Sequence, residues 1–210
     1  MNRMDDCSVD IIVADPPYGM SYRSNHRKER YEAIAGDDSL EWVEPWAKES
    51  YRVLSEDSHM YVFCSFHKVD IFKQSIQRHF TVKNVLIWEK NNTSMGDLEG
   101  DYAPKYEMIL FCAKGRRKLN GRRDSNILKY KRTGNKLHPT QKPEDLIRYL
   151  IIKSTNKEEI VYDPFMGSGT TAAASYNTER FYIGSEIDKK YYETSIERLD
   201  IIGRQGNLFA

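Results

Sequence analysis

The chain has 210 residues, of which 40% are hydrophobic and 30% charged, and it carries a formal net charge of +1. That length suits one α/β domain with a substantial core, and the balance of apolar and charged residues excludes a disordered chain. No apolar run approaches the roughly 20 residues that span a bilayer, and the polar start Met1-Asn2-Arg3-Met4-Asp5-Asp6 is unlike a signal peptide, so a cytoplasmic protein with no membrane partner is expected.

Val9–Ala14 is almost continuously apolar and β-branched, as befits a strand covered on both faces of a parallel sheet. It runs into Asp15-Pro16-Pro17-Tyr18, where a strand must end, because proline has no N–H to give to a neighbour. A carboxylate, a stiff backbone with free carbonyls and an aromatic face together suit a flat, amine-bearing partner; an ordinary strand-ending turn is the alternative. Residues 19–38 are polar and basic, with Arg23, His26, Arg27, Lys28 and Arg30 but no hydrophobic period, which predicts a mobile loop.

Trp42, Val43, Trp46, Ala47, Ser50, Tyr51 and Leu54 recur at helical spacing, so residues 40–54 form a helix. A second strand is expected over 59–66, a helix over 69–78, and further strands over 82–88 and 106–113. The connection 91–104 has no helical period. Without a crossover helix the strands it joins are antiparallel neighbours. Cys64 and Cys112 fall inside these apolar runs; with Cys7 they make an odd number and no C-x-x-C pair, so they read as reduced thiols with little room for a metal site.

Between Lys114 and Lys136 lie Arg116, Arg117, Lys118, Arg122, Arg123, Lys129, Lys131 and Arg132, opposed by Asp124 alone. Gly115, Gly121 and Gly134 interrupt the stretch and no core-facing stripe is evident, so a long functional loop is predicted. Two basic clusters flanking one candidate site point to a polyanionic partner. Pro143 then opens a helix with Leu146, Ile147, Leu150 and Ile151 as its inner face. Ile160-Val161-Tyr162 is a short strand ending at Asp163-Pro164-Phe165, an Ala-rich helix follows to about Tyr176, Phe181–Gly184 is a strand, and 189–202 is the last helix. Strands alternating with helices specify a doubly wound, mostly parallel Rossmann-like α/β sheet, here with one antiparallel strand.

The turn Gly167-Ser168-Gly169-Thr170-Thr171 between strand and helix, with Glu186 ending the next strand, has the layout of a nucleotide-binding fingerprint. A Walker A loop needs Lys before its Ser/Thr, and here Gly169 stands in that place. Asp163 at the mouth of the turn would repel a pyrophosphate but attract a ligand bearing an ammonium and a sulfonium. S-adenosylmethionine has both, and a ribose for Glu186.

Three stretches in order, Asp15-Pro16-Pro17-Tyr18, His138-Pro139-Thr140-Gln141-Lys142-Pro143 and Asp163-Pro164-Phe165-Met166-Gly167-Ser168-Gly169-Thr170-Thr171, make the chain resemble an S-adenosylmethionine-dependent amino-methyltransferase of DNA, acting on N6 of adenine or N4 of cytosine, in the β arrangement. The resemblance implies a circularly permuted motif order, catalytic motif first, with a target-recognition region between the two motifs. It implies that 1–210 is a single catalytic domain in which 114–137 recognises the target and 19–38 closes over DNA.

In site residues it implies that Asp15, Pro16, Pro17 and Tyr18 are catalytic. Asp163, Phe165, Gly167, Ser168, Gly169, Thr170, Thr171 and Glu186 hold the donor, with Thr140 and Lys142 near its methionine moiety. Arg23, Arg27, Lys28, Arg116, Arg117, Arg122 and Arg123 contact double-stranded DNA. No metal is expected, and a homodimer and a cognate restriction endonuclease are the further partners the resemblance allows. Adenine N6 is the expected acceptor, because the N4-cytosine group tends to carry Ser in the place of Asp15. The alternatives are cytosine N4, a catalytically silent DNA-binding protein and a dinucleotide oxidoreductase. Members of the family commonly carry another strand and an acidic turn ahead of the catalytic strand, whereas this chain begins almost at that strand; a missing edge strand or a late start is therefore expected.

Overall fold

The computed structural model describes residues 1, 3–19, 39–93, 99–133 and 141–207. Its elements follow the order β1 (Val9–Ala14), α1 (Val43–Val53), β2 (Leu54–Cys64), α2 (Val69–Ile76), β3 (Thr81–Glu89), β4 (Tyr106–Lys114), β5 (Ile127–Lys129), α3 (Glu144–Ser154), β6 (Ile160–Asp163), α4 (Thr170–Tyr176), β7 (Phe181–Gly184) and α5 (Lys189–Asn207). The strands form one sheet in the order β5-β3-β4-β2-β1-β6-β7.

Alternation along β1 divides the core. Ile12 and Ala14 face a cluster with Trp46, Val53, Phe72 and Ile76 of α1 and α2, while Ile11 and Val13 face one with Leu146, Ile147, Leu150 and Ile151 of α3 and Ala174 of α4. Both faces of the sheet are thus covered, which is why its central strands read as unbroken apolar runs. Among the described residues no helix is long and apolar enough to cross a membrane.

Six of the seven strands run in one sense. β4 is the exception, antiparallel to β2 on one side and to β3 on the other. The antiparallel β3–β4 neighbours expected from the absence of a crossover helix are present. Two elements differ from expectation at their edges: β2 begins at Leu54, directly after α1, and the basic stretch contains β5, paired in parallel with β3 and burying Leu128 against Trp88. β5 is a three-residue strand flanked by charge, too short to show a period. The loop expected over 19–38 lies, after Gly19 and before Ser39, outside the described residues.

The topology fixes where each loop emerges. β1 lies between β2 and β6, parallel to both, so the chain reverses its direction of winding at β1 and β6. In such sheets the crevice at the carboxyl ends of the strands, at that reversal, is the place for a ligand. Asp15 directly follows the end of β1 and Asp163 ends its neighbour β6, as the sequence leads one to expect. Because β4 runs the other way, its start, Tyr106 and Glu107, joins the same edge, and its end, Lys114, emerges at the opposite one.

Candidate active site

Asp15 is the acidic end of a short chain of charges. Lys142 Nζ stands 2.7 Å from its Oδ2 and 3.2 Å from a carboxylate oxygen of Glu107, whose other oxygen is 2.7 Å from Lys90 Nζ. The Lys142 side chain is 7% exposed, and its ammonium also sits 5.2 Å from the Phe63 ring centre and 5.7 Å from that of Tyr18. The Tyr18 hydroxyl donates to Asp15 Oδ1 at 2.7 Å. Burial alone would lower the Lys142 ammonium, but the carboxylates of Asp15 and Glu107 outweigh it and hold it above the usual lysine value. Burial would likewise raise Glu107, and the two lysines hold it below the usual carboxylate range. Burial, and then the neighbouring Asp15, push the Tyr18 phenol well above its ordinary value, so it remains a hydrogen-bond donor.

The second half of the site is built on the glycine turn. Asp163 is buried, accepts the Phe165 N–H at 3.0 Å and is hydrogen-bonded by the Thr171 hydroxyl. Burial, aided by the charges of Asp15 and Glu186, nevertheless lifts its pKa to about 7. Glu186 accepts the Gly167 N–H at 2.8 Å through one oxygen and the Asp188 N–H at 2.9 Å through the other, so it braces the turn from beyond the end of β7. Gly169 has φ +75° and caps α4, and a Cβ there would lie 3.0 Å from Ser195 of α5. Arg198 of α5 donates to the Ser168 carbonyl and the Thr170 hydroxyl and pairs with Glu144. Phe165 packs between Trp42 and Trp46, its ring centre 5.6 and 5.7 Å from theirs.

The structure thus gathers Asp15, Pro16, Pro17, Tyr18, Asp163, Phe165, Gly167, Ser168, Gly169, Thr170, Thr171, Glu186 and Lys142 at one edge, with a difference in partnership. Lys142, expected in the donor pocket, is turned onto the Asp15 carboxylate. Arg23, Arg27, Lys28 and Thr140 lie outside the described residues. Arg116 and Arg117 do not reach this edge. They follow β4 at the opposite one, where the Arg116 N–H is held by Asp57 and the Arg117 guanidinium forks onto both oxygens of Glu159. Arg122 and Arg123 precede β5 and follow Asn120, which is tied to the carbonyls of Ile152 and Thr155 at the end of α3. Lys131 and Arg132, after β5, arrive at the carboxyl edge, where the Arg132 N–H is held by Asn91. Lys90 and Glu107 are functional candidates that the residue pattern alone does not single out; their one signal is a carboxylate in the otherwise apolar run Tyr106–Ala113. Among the described residues no cluster of His, Cys, Asp or Glu is placed to hold a metal ion.

The family model described as DNA methylase, N6_N4_Mtase, matches residues 9–197, from β1 into α5. This chain is a DNA methyltransferase of the N6/N4 family. Among its relatives, the putative methylase YubD of Escherichia coli (strain K12) is 35% identical over 198 residues, covering 94% of this chain and 84% of that protein. The DNA adenine methyltransferase YhdJ of the same organism is 28% identical over 231 residues, covering 92% of this chain and 77% of that one. Among solved structures, the M1.HpyAVI–SAM complex is 30% identical and superposes with a TM-score of 0.71, covering 94% of this chain and 90% of its own. The methyltransferase therefore shares sequence with all three proteins over nearly its whole length, and its fold with the last.

Proposed function

We propose that this methyltransferase transfers a methyl group from S-adenosylmethionine to N6 of an adenine flipped out of double-stranded DNA, with its motifs in the permuted β order. The observation that carries the reading is the placement of Asp15 and Asp163 at the carboxyl ends of the adjacent parallel strands β1 and β6. An acceptor held at one and a donor held at the other would meet across a single strand spacing. Asp163 fits the donor: a buried carboxylate held near pH 7 by desolvation gains most from a cationic partner such as an amino-acid ammonium. Glu186 keeps lone pairs for ribose hydroxyls while its oxygens brace the turn, and the glycines admit the ligand close to the backbone.

The donor supplies an electrophilic methyl on a sulfonium. The chain's own residues do the rest. Asp15 Oδ1 and the Pro16 carbonyl accept the two amine hydrogens, which draws electron density back onto a nitrogen whose lone pair is otherwise delocalised into the ring. The N–C bond forms as the S–C bond breaks, leaving the donor's sulfur as a neutral thioether, and the amine passes a proton to the Asp15 carboxylate; positioning supplies much of the rate. For the amine to reach Oδ1 it must take the place of the Tyr18 hydroxyl, and the Tyr18 ring is then released to stack on the extruded base. The aspartate in the first position and the kinship with an adenine methyltransferase support adenine over cytosine N4.

Incubating the protein with labelled S-adenosylmethionine and mixed-sequence duplex DNA, then digesting to nucleosides, is expected to yield labelled N6-methyladenine. Labelled N4-methylcytosine would move the acceptor to cytosine, and no labelled nucleoside would refute the reading. DNA binding belongs to the carboxyl edge, so Lys131→Ala and Arg132→Ala should each lower the slope of log affinity against log salt by about 0.9 for every phosphate no longer neutralised. Arg116→Ala, at the far edge, should leave the slope unchanged; equal effects at both edges would show that DNA is bound elsewhere.

A further inference from the structure

The buried charge chain Lys90–Glu107–Lys142–Asp15 has no part in binding the donor as described, and its geometry points to a separate task. We propose that Lys142, steadied by Glu107 and through it by Lys90, is a positioning residue for the catalytic carboxylate: it takes Oδ2 of Asp15 and thereby leaves Oδ1 as the oxygen that receives the target amine. The inference rests on the reading of Asp15 as the amine acceptor.

Three observations carry it. First, the two oxygens of Asp15 have different partners: an ammonium at 2.7 Å on Oδ2 and a phenol at 2.7 Å on Oδ1. A neutral hydroxyl on a rotatable ring exchanges far more readily than a buried cation, because pulling the cation away would leave the Asp15 carboxylate without a counter-charge. Second, the signs alternate along the chain, two positive and two negative, so it is neutral as a unit although its lysines are buried. Removing an interior member leaves a neighbour uncompensated. Third, the parts come from four separate places in the fold: the end of β3, the start of the reversed strand β4, the approach to α3 and the end of β1. Lys142 thus ties the approach to helix α3 to the strand that delivers the carboxylate, which fixes the carboxylate's rotation as well as its charge.

Among the described residues, Lys142 is the only cation in direct contact with Asp15, whose other side-chain partner is the Tyr18 hydroxyl.

The test uses the full chain, S-adenosylmethionine and duplex DNA, starting from a wild-type protein shown to produce a methylated nucleoside. Absence of that product would defeat the functional reading before this one is reached. Lys142→Met is expected to lower kcat about 100-fold, the size of effect that follows from misplacing a reacting group by about an ångström. Donor affinity should be unchanged. Lys142→Arg, which keeps the charge on Oδ2, should recover much of the loss. A loss of donor affinity with normal kcat at saturating donor would overturn the proposal and return Lys142 to the donor pocket; a lower kcat with no rescue by arginine would overturn it too and reduce Lys142 to a structural role. Should Lys142→Met fail to fold, the double variant Lys90→Met with Glu107→Gln removes one charge of each sign and keeps Lys142 on Asp15. It is expected to lower kcat with donor affinity held, and unchanged kcat would overturn the part assigned to the outer pair.

Discussion

Replacing Asp15 by alanine is expected to lower the rate of methyl transfer by about 10²- to 10⁴-fold, the range for loss of a positioned proton acceptor, while donor affinity measured well above pH 7 stays at the wild-type value. The two effects separate because Asp15 belongs to the β1 end of the site and the donor to the β6 end. Lys142 keeps Glu107 as a partner in this variant, although Glu107 must then serve both lysines, so the fold is checked alongside by circular dichroism. Single-turnover transfer with labelled donor, together with calorimetric titration of the donor alone, measures both quantities. Normal turnover in Asp15→Ala would show that another group accepts the amine.

The second large effect concerns Asp163. Its pKa of about 7 in the free protein means that it is half protonated near neutrality. A donor ammonium favours the ionised carboxylate, so donor affinity should be full above pH 7 and should fall as the pH drops through 7, by about tenfold per unit once the protonated form dominates. Binding near neutrality should release a proton, seen as a dependence of the calorimetric heat on the buffer's ionisation enthalpy. Asp163→Asn removes the charge and should weaken binding by about 3–5 kcal/mol, as when one member of a buried pair is lost, and should flatten the pH dependence. A variant that binds as tightly as wild type at every pH would place the ammonium elsewhere. Asp15 and Glu186, which also face Asp163, contribute to its elevation, so Asp15→Ala is expected to shift the midpoint downward.

Much of this arrangement is legible in the residues. The apolar runs Val9–Ala14 and Ile160–Tyr162, each leading into Asp-Pro, announce buried parallel strands that open on one edge, and the doubly wound pattern makes their adjacency natural. The direction of long side chains is not legible. Lys142 stands one residue before Pro143 in a motif near the glycine turn, yet its four-carbon stem carries the ammonium onto Asp15, because two carboxylates, Asp15 and Glu107, compensate it there. The places of Arg116 and Arg117 follow from one step of topology: if the fourth strand runs antiparallel, whatever follows it must leave from the far edge. β5 leaves no trace in the pattern because a single buried residue, Leu128, between exposed Ile127 and Lys129 shows no alternation to read.

The reversed strand β4 has one more consequence. The β3–β4 connection opens at the same edge as Asp15, and its neck is clasped: Glu89 lies opposite Tyr106, the Lys90 N–H donates to the Lys105 carbonyl at 2.8 Å, and Lys105 pairs with Glu89. Lys90 and Glu107, the outer members of the charge chain, belong to that neck. Length can therefore vary beyond the clasp without disturbing a single strand of the sheet, whereas a shift of the neck itself moves the pair that steadies Lys142.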